Sequence, residues 1–369
     1  MKKKIAVLYP AFMGGGAESV CVWMLKALKE EYDLTLFTFT FRDFQELNNL
    51  YGTDLSEEEI RVVCPVPKVL VGPLKFIFNN LNPFRAFRQY KMSEFFKNFS
   101  EDFDLAISAY NEMDMGKPGI QYIFWIGVVK DKKRYFQKEK IKINLTLTCS
   151  KTVAGFIKRD YGIDAQVIYP PVSSCFPIVP QEDKEEGFVC IGRIVKEKSP
   201  HRGISILKKV RDKGFPVHLH IIGSSGNIRY MRFLRKLQRE NASWVFLDKG
   251  KNHKDFCSLV AQHKYGIHWK REPFGIAVAE MLRAGCIPFV KNGGGQTEIV
   301  GDNENLLFGS DDEAVDKICA LFADKDKQAQ ILDYLSEREN LFSEKKFMDE
   351  IKETVDNFLA FRQEDKLQV

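Results

Sequence analysis

A repeated rhythm of short apolar run, loop and amphipathic stretch limits the fold more than any other feature of this chain. Residues 5–9 read as a buried strand, 10–16 as a loop, 18–30 as an amphipathic helix and 34–39 as the next strand. Further strands are expected at 105–108 and 121–125, a helix at 151–160, and a strand at 165–169 that stops at Pro170-Pro171. The rhythm then restarts, with strands at 188–191, 217–222, 244–247 and 265–269 and helices at 203–213, 228–240 and 253–262. Alternation at this spacing predicts two parallel, doubly wound α/β domains. The Pro-, Ser- and acid-rich stretch 170–187 reads as the linker between them.

Size agrees, since 369 residues hold two domains of ordinary length. We expect one domain over 1–175 and a second over 176–345. Apolar residues at helical spacing in 347–362 put a terminal helix within 346–369. Hydrophobic residues make up 44%, enough for two proper cores. No apolar run approaches the ~18 residues of a membrane span. Met1-Lys2-Lys3-Lys4 resembles the start of a signal peptide, but the run behind it breaks at Tyr9-Pro10 and reads as a strand. Eight scattered cysteines show no C-x-x-C and no metal-ligand spacing. They are expected as buried free thiols, which points to a reducing, cytoplasmic compartment.

Chemistry concentrates in Lys270-Arg271-Glu272-Pro273-Phe274-Gly275-Ile276-Ala277-Val278-Ala279-Glu280. A helix starting near Gly275 leaves Glu272 in the preceding loop and carries Glu280 inside. Two carboxylates so separated suit a ligand with two polyhydroxyl ends. An isolated pair of this kind is usually two solvated acids. The residues beyond it change those odds. Ala284-Gly285-Cys286-Ile287-Pro288-Phe289-Val290 reads as helix stop and buried strand, and Gly293-Gly294-Gly295-Gln296-Thr297-Glu298-Ile299-Val300 as a glycine loop opening another helix.

Over this stretch the chain resembles the family-4 glycosyltransferases, retaining enzymes of the GT-B fold. The resemblance rests on Glu272-Pro273-Phe274-Gly275, Glu280, Gly285, Pro288, Val290, Gly294 or Gly295, and Glu298-Ile299-Val300. It implies two Rossmann-like domains facing across a cleft, with the terminal helix crossing back to the first. It implies a nucleoside diphosphate sugar as donor substrate, a glycan or lipid-linked acceptor, and no cofactor. Tyr169-Pro170-Pro171-Val172 and Glu272–Ile276 look like lipid-linked mannosyltransferases, a lean toward GDP-mannose over UDP-sugars.

The resemblance assigns roles residue by residue. Gly192-Arg193 and Lys198 match the family's Gly-Arg and Lys, whose cations hold the donor diphosphate. A strand's carboxyl end is also where open α/β sheets bind ligands, and Arg193 offers a fork while Lys198 offers a point charge. Glu272 is expected to hold hexose hydroxyls and favour positive charge at the anomeric carbon. Glu280 is expected to accept from ribose hydroxyls, and backbone N–H groups over Phe274, Gly275, Ile276 and Ala277 to add a helix N-terminus. Gly15 and Gly16, in Gly14-Gly15-Gly16-Ala17-Glu18, let backbone approach the donor. A tight strand-to-helix turn explains them nearly as well. Gly223 is a donor wall or a plain surface turn. His268 reads as a satisfied strand-end histidine.

All six histidines lie in the second half, and Phe124 stands where relatives carry a first-domain histidine. An inverting mechanism therefore lacks its base, whereas a retaining one survives. Glu112 and Asp114 are the acids near that acceptor side that could help, though each reads by default as a surface acid. Asp102-Phe103-Asp104 has the Asp-x-Asp spacing of a metal motif but sits at a strand entrance, so no metal is expected.

Residues 68–99 carry Lys68, Lys75, Arg85, Arg88, Lys91 and Lys97 against Glu94, six cations less one acid, a net +5 equal to that of the whole chain. Seven phenylalanines interleave with them: Phe76, Phe78, Phe84, Phe87, Phe95, Phe96 and Phe99. Such a stretch fits peripheral contact with the inner face of a membrane, or phenylalanines in a core beneath solvated cations. A nucleic-acid partner is not expected. Two other readings stay open: a sugar-nucleotide-binding subunit that needs a partner, and a GT-B epimerase or hydrolase.

Overall fold

The computed structural model describes residues 2–12, 14–41, 43–80, 85–125, 138–224 and 228–367. The chain forms two compact units, 1–171 with 344–369 and 172–343. The expected borders lay at 175 and 345. The difference arises because the stretch read as linker packs onto the second unit. Val172 N–H donates to Phe342 O at 2.9 Å, Gln181 Nε2 donates to Gly285 O at 2.7 Å, and buried Lys184 donates to Ala284 O at 2.5 Å.

In the first unit, β1 (Lys4–Leu8) leads through a glycine loop to α1 (Gly16–Leu28) and β2 (Asp33–Phe37). After α2 (Phe44–Tyr51) come β3 (Ile60–Val63), α3 (Lys68–Asn80), α4 (Arg85–Lys97), β4 (Leu105–Ser108) and β5 (Ile120–Ile123). Then come α5 (Lys138–Lys142), β6 (Leu145–Thr148), α6 (Lys151–Tyr161) and β7 (Gln166–Val167). The sheet order is β3-β2-β1-β4-β5-β6-β7, all parallel. Central β1 is apolar at every position after Lys4, as a strand covered on both faces must be.

In the second unit, β8 (Glu185–Ile191), α7 (His201–Asp212), β9 (His218–Ile222), α8 (Ile228–Glu240), β10 (Val245–Asp248), α9 (His253–Ala261) and β11 (His263–His268) alternate. The unit continues with α10 (Ile276–Arg283), β12 (Ile287–Lys291), α11 (Thr297–Val300), β13 (Leu307–Phe308), α12 (Asp311–Phe322) and α13 (Lys325–Ser336). The order β10-β9-β8-β11-β12-β13 is again parallel and turns direction at β8. The last helix, α14 (Glu344–Leu367), packs against α1 in the first unit. Its Asp356 accepts from the Tyr32 hydroxyl.

One expectation is corrected, and a choice left open by the sequence is narrowed. The cysteines are not all free: Cys175 and Cys257 form a disulfide, and the other six are free. A fully reduced chain was the basis of the cytoplasmic reading, which loses that support. Segment 68–99 is only partly surface, because Phe96 is fully buried and Phe95 and Phe99 pack on the same core as Phe37, Met92 and Met113. Burying each ring contributes about 1.5–3 kcal/mol, which favours the core over an interface. Lys97 is held by Glu94 and Asp114, both at 2.8 Å. Phe84 lies outside the described residues, as do the side chains of Lys75, Phe76, Phe78 and Arg85. Among the described residues, no helix is long and apolar enough to cross a membrane.

Candidate active site

The carboxyl ends of β8, β9 and β11 gather most of the residues singled out from sequence. Gly192 follows β8 with φ 143°, and Gly223 follows β9 with φ 158°. Gly192 N–H donates to Ile222 O and Gly223 N–H to Asp248 O, both at 3.0 Å. A Cβ on Gly223 would fall 1.9 Å from Gly192 O. These glycines therefore let two strand ends pass in backbone contact, a packing need that sequence reading did not separate from ligand binding. Arg193 comes next, exposed and without a partner among the described residues.

A 3₁₀ turn over Lys196–Lys198 then brings Lys198 back over the sheet edge. Its carbonyl accepts from Trp269 Nε1 at 2.8 Å, and its ammonium donates to Glu272 Oε1. Glu272 is mostly buried, and His268 Nε2 stands 3.7 Å from the same oxygen. Burial opposes ionisation of Glu272, but the His268 imidazole and the Lys198 ammonium hold its carboxyl down to about 2. His268 Nε2 has no partner within hydrogen-bond distance, which corrects the satisfied histidine expected from sequence.

Gln296 fixes the Glu272 backbone, a role sequence reading did not assign. It is fully buried and accepts the Glu272 N–H at 2.8 Å. Its Nε2 donates to Lys291 O at 2.8 Å and Gly293 O at 2.7 Å. Gly295 permits this closeness, since a Cβ there would lie 2.0 Å from Pro273 O. The signal was the glycine run itself, which marks backbone meeting backbone.

Helix α10 opens after Gly275, which is left-handed at φ 103° and offers no side-chain cap. The N–H groups of Ile276 and Ala277 have no acceptor among the described residues. Such a terminus carries partial positive charge and free donors. Phe274 is buried against Phe342, ring centroids 5.6 Å apart, so its side chain is core. Glu280 is the fifth residue of the helix, and its carboxyl has no partner among the described residues. Burial pushes it up to about 8. Nothing offsets that desolvation, so burial favours the protonated form of the carboxyl expected to meet the ribose hydroxyls.

In the first unit, Gly15 caps α1 with φ 146°. Gly14 N–H donates to Glu18 Oε1 at 2.5 Å, Gly15 N–H to Tyr51 Oη at 3.2 Å, and Tyr51 to Glu18 Oε2 at 3.0 Å. Gly16 begins the helix. A buried acid and a tyrosine therefore brace the glycine loop. On the acceptor side, Glu112 is fully buried beside Tyr161, which corrects its reading as an accessible acid. Asp114 is engaged with Lys97 and, at 3.0 Å, with Gly116 N–H. Phe124 packs on Tyr122, and its N–H donates to Asn111 Oδ1 at 2.8 Å.

Residues 176–338, nearly the whole second unit, match the family model described as glycosyl transferases group 1. No curated protein matches the chain. Among solved structures, HepE of Anabaena in complex with UDP and glucose is similar over 96% of this chain and 100% of its own, at TM-score 0.68 and 16% identity. WaaG, a glycosyltransferase involved in lipopolysaccharide biosynthesis, is similar over 94% and 99%, at TM-score 0.68 and 13% identity. A sucrose-phosphate synthase from Thermosynechococcus elongatus is similar over 97% and 100%, at TM-score 0.68 and 14% identity. At such identities the likeness is one of fold. The chain thus has the two-unit α/β fold of GT-B glycosyltransferases, and its second unit matches the group 1 glycosyltransferase model.

Proposed function

We propose that the chain is a retaining glycosyltransferase that moves a hexose from a nucleoside diphosphate sugar to a glycan or lipid-linked acceptor. The observation that carries this reading is the cationic, donor-rich carboxyl edge of the second sheet. There the exposed Arg193 and the Lys198–Glu272 pair share an edge with the uncapped start of α10. Open α/β sheets bind ligands at that edge, and a diphosphate suits it chemically.

In this reading Arg193, Lys198 and the Ile276 and Ala277 N–H groups stabilise the departing diphosphate. Glu272, kept ionised, holds hexose hydroxyls and favours charge developing at the anomeric carbon. Glu280 takes the ribose hydroxyls and loses its proton as it accepts them. Catalysis is then leaving-group stabilisation with positioning. HepE has been solved with UDP and with UDP-glucose, so a uridine diphosphate sugar is the donor we favour. The lean to GDP-mannose rests on short sequence likenesses alone, and no comparison adds to it. Exposed Val69, Leu70 and Phe87 leave a smaller surface for a lipid-borne acceptor than the full segment suggested.

The test is a thermal-shift panel of UDP, GDP, ADP and their sugars, with Glu280→Gln as control. A rise with uridine nucleotides that the variant loses supports the reading. No rise with any nucleotide would overturn it. Turnover of Arg193→Ala with the donor so found should fall while sugar preference holds.

A further inference from the structure

The amino ends of the second sheet's strands carry a second cluster, at the end opposite Glu272. His218 and His220 lie two apart on β9 and point to one face. His263 opens β11, with β8 running between them. Two features of β8 bring the three rings together. Gly187 pairs in register with His218, and a Cβ at Gly187 would lie 2.2 Å from His218 Nε2. Only glycine leaves room for that ring to lie across the strand. Glu185 pairs in register with His263, on the same face.

The ring centroids are 4.6 Å apart for His220–His263, 5.1 Å for His218–His263 and 5.5 Å for His218–His220. One ligand nitrogen from each lies within 4.8 Å of the others. His263 is 1% exposed. Its Nδ1 donates to Leu259 O at 2.7 Å, leaving Nε2 as a lone-pair acceptor with no partner. His220 Nδ1 is 2.7 Å from Asp248 Oδ2, so its free lone pair is also on Nε2. A carbonyl and a carboxylate each fixing the far nitrogen of an imidazole is the outer-shell arrangement of metal-binding histidines. Glu185 Oε2 stands 3.1 Å from His218 Nε2, and a cavity of about 310 Å³ opens beside the rings, lined by Glu185, His218, His220, Ser243 and Phe246.

We propose that His218, His220 and His263 form a binding site for a divalent transition metal of the zinc class, with Glu185 and the cavity supplying the remaining coordination. Imidazole sets of three with one open position are a known zinc arrangement. Two ligands each about 2.1 Å from an ion stand at most about 4.2 Å apart, so small turns of the two half-buried β9 rings close the site. Glu185 and Asp248 balance the cation, against Arg211 and Lys251 nearby. A second set, Cys175, His253 and Cys257, offers only its imidazole, because its thiols are joined.

The test uses the full chain stripped with chelator and titrated with Zn²⁺, with Mg²⁺ as control, in a Cys175→Ser/Cys257→Ser background that removes the second set. Calorimetry should show one equivalent of Zn²⁺ and a raised melting temperature, and Co²⁺ should give visible d–d bands without thiolate charge transfer. His218→Gln/His220→Gln, both at half-buried positions, should abolish binding. Asp248→Asn keeps every ligand and should weaken affinity about 10–100-fold. Absence of stoichiometric Zn²⁺ binding, or binding unchanged in both variants, would overturn the proposal.

Discussion

Lys198 donates to the carboxylate of Glu272 across 74 residues of sequence, so the residues expected to meet the donor's diphosphate and its hexose are held to each other in the free protein. The pair is largely buried, with His268 as its third member. Nucleotide must draw Lys198 off Glu272 or share it.

That relationship sets an acid dependence. The folded carboxyl of Glu272 sits at about 2, below the ordinary value near 4.3. Its contribution is complete above that ordinary value and is lost as pH falls toward 2. Glu272→Gln should therefore cost about 1–3 kcal/mol at pH 6 and progressively less by pH 3, read from urea midpoints against pH. A cost independent of pH would contradict the ion pair.

Glu280 should show the opposite sign. Its folded carboxyl sits at about 8, above the unfolded value near 4.3. Between these the unfolded chain ionises while the folded one keeps its proton, so stability falls with rising pH. Glu280→Gln removes that loss. The variant should gain on wild type from pH 5 to pH 8, by about 1–3 kcal/mol, and then level off. Nucleotide binding should release a proton in wild type alone, detectable by calorimetry in buffers of different ionisation enthalpy.

Two glycines should separate packing from backbone strain. Gly15→Ala meets no atom within 4 Å and bears only the strain of φ 146°, about 1–2 kcal/mol. Gly223→Ala drives a Cβ to 1.9 Å from Gly192 O and should cost about 3 kcal/mol or more. Melting temperatures of the two variants check the order.

Gln296→Leu keeps the volume but strands the Glu272 N–H and the carbonyls of Lys291 and Gly293. Each stranded buried group costs about 1–3 kcal/mol. Turnover should drop more than nucleotide affinity, because the variant frees the Glu272 loop and leaves α10 in place. Steady-state kinetics with UDP binding measured separately would show it.

The architecture was legible because it is periodic. Most strands of the two sheets, with helices between, emerge from apolar runs and amphipathic stretches; 105–108 and 228–240 match their elements end to end. β3, β6 and β13 escaped notice, since Arg61 interrupts the first, threonines alternate through the second and the third is two residues long. The candidate site was legible in outline, as motifs at strand ends, because each motif is local. Its couplings were not: Gln296 under Glu272, Glu18 and Tyr51 under the glycine loop, and burial of Glu112 join residues that spacing does not relate.

The sequence alone thus determined most of the segments that fold as strands and many of the helices, that they make two α/β units, and which loops carry cations, acids and glycines, because these depend on neighbours within a few residues. Only the tertiary structure decided which charges meet, which carboxyl is driven to about 2 and which to about 8. It also decided that His218 and His220 come together with His263 over Gly187. Protonation and ligation depend on distance and on exclusion of water, and both are set when strands far apart in sequence pack side by side.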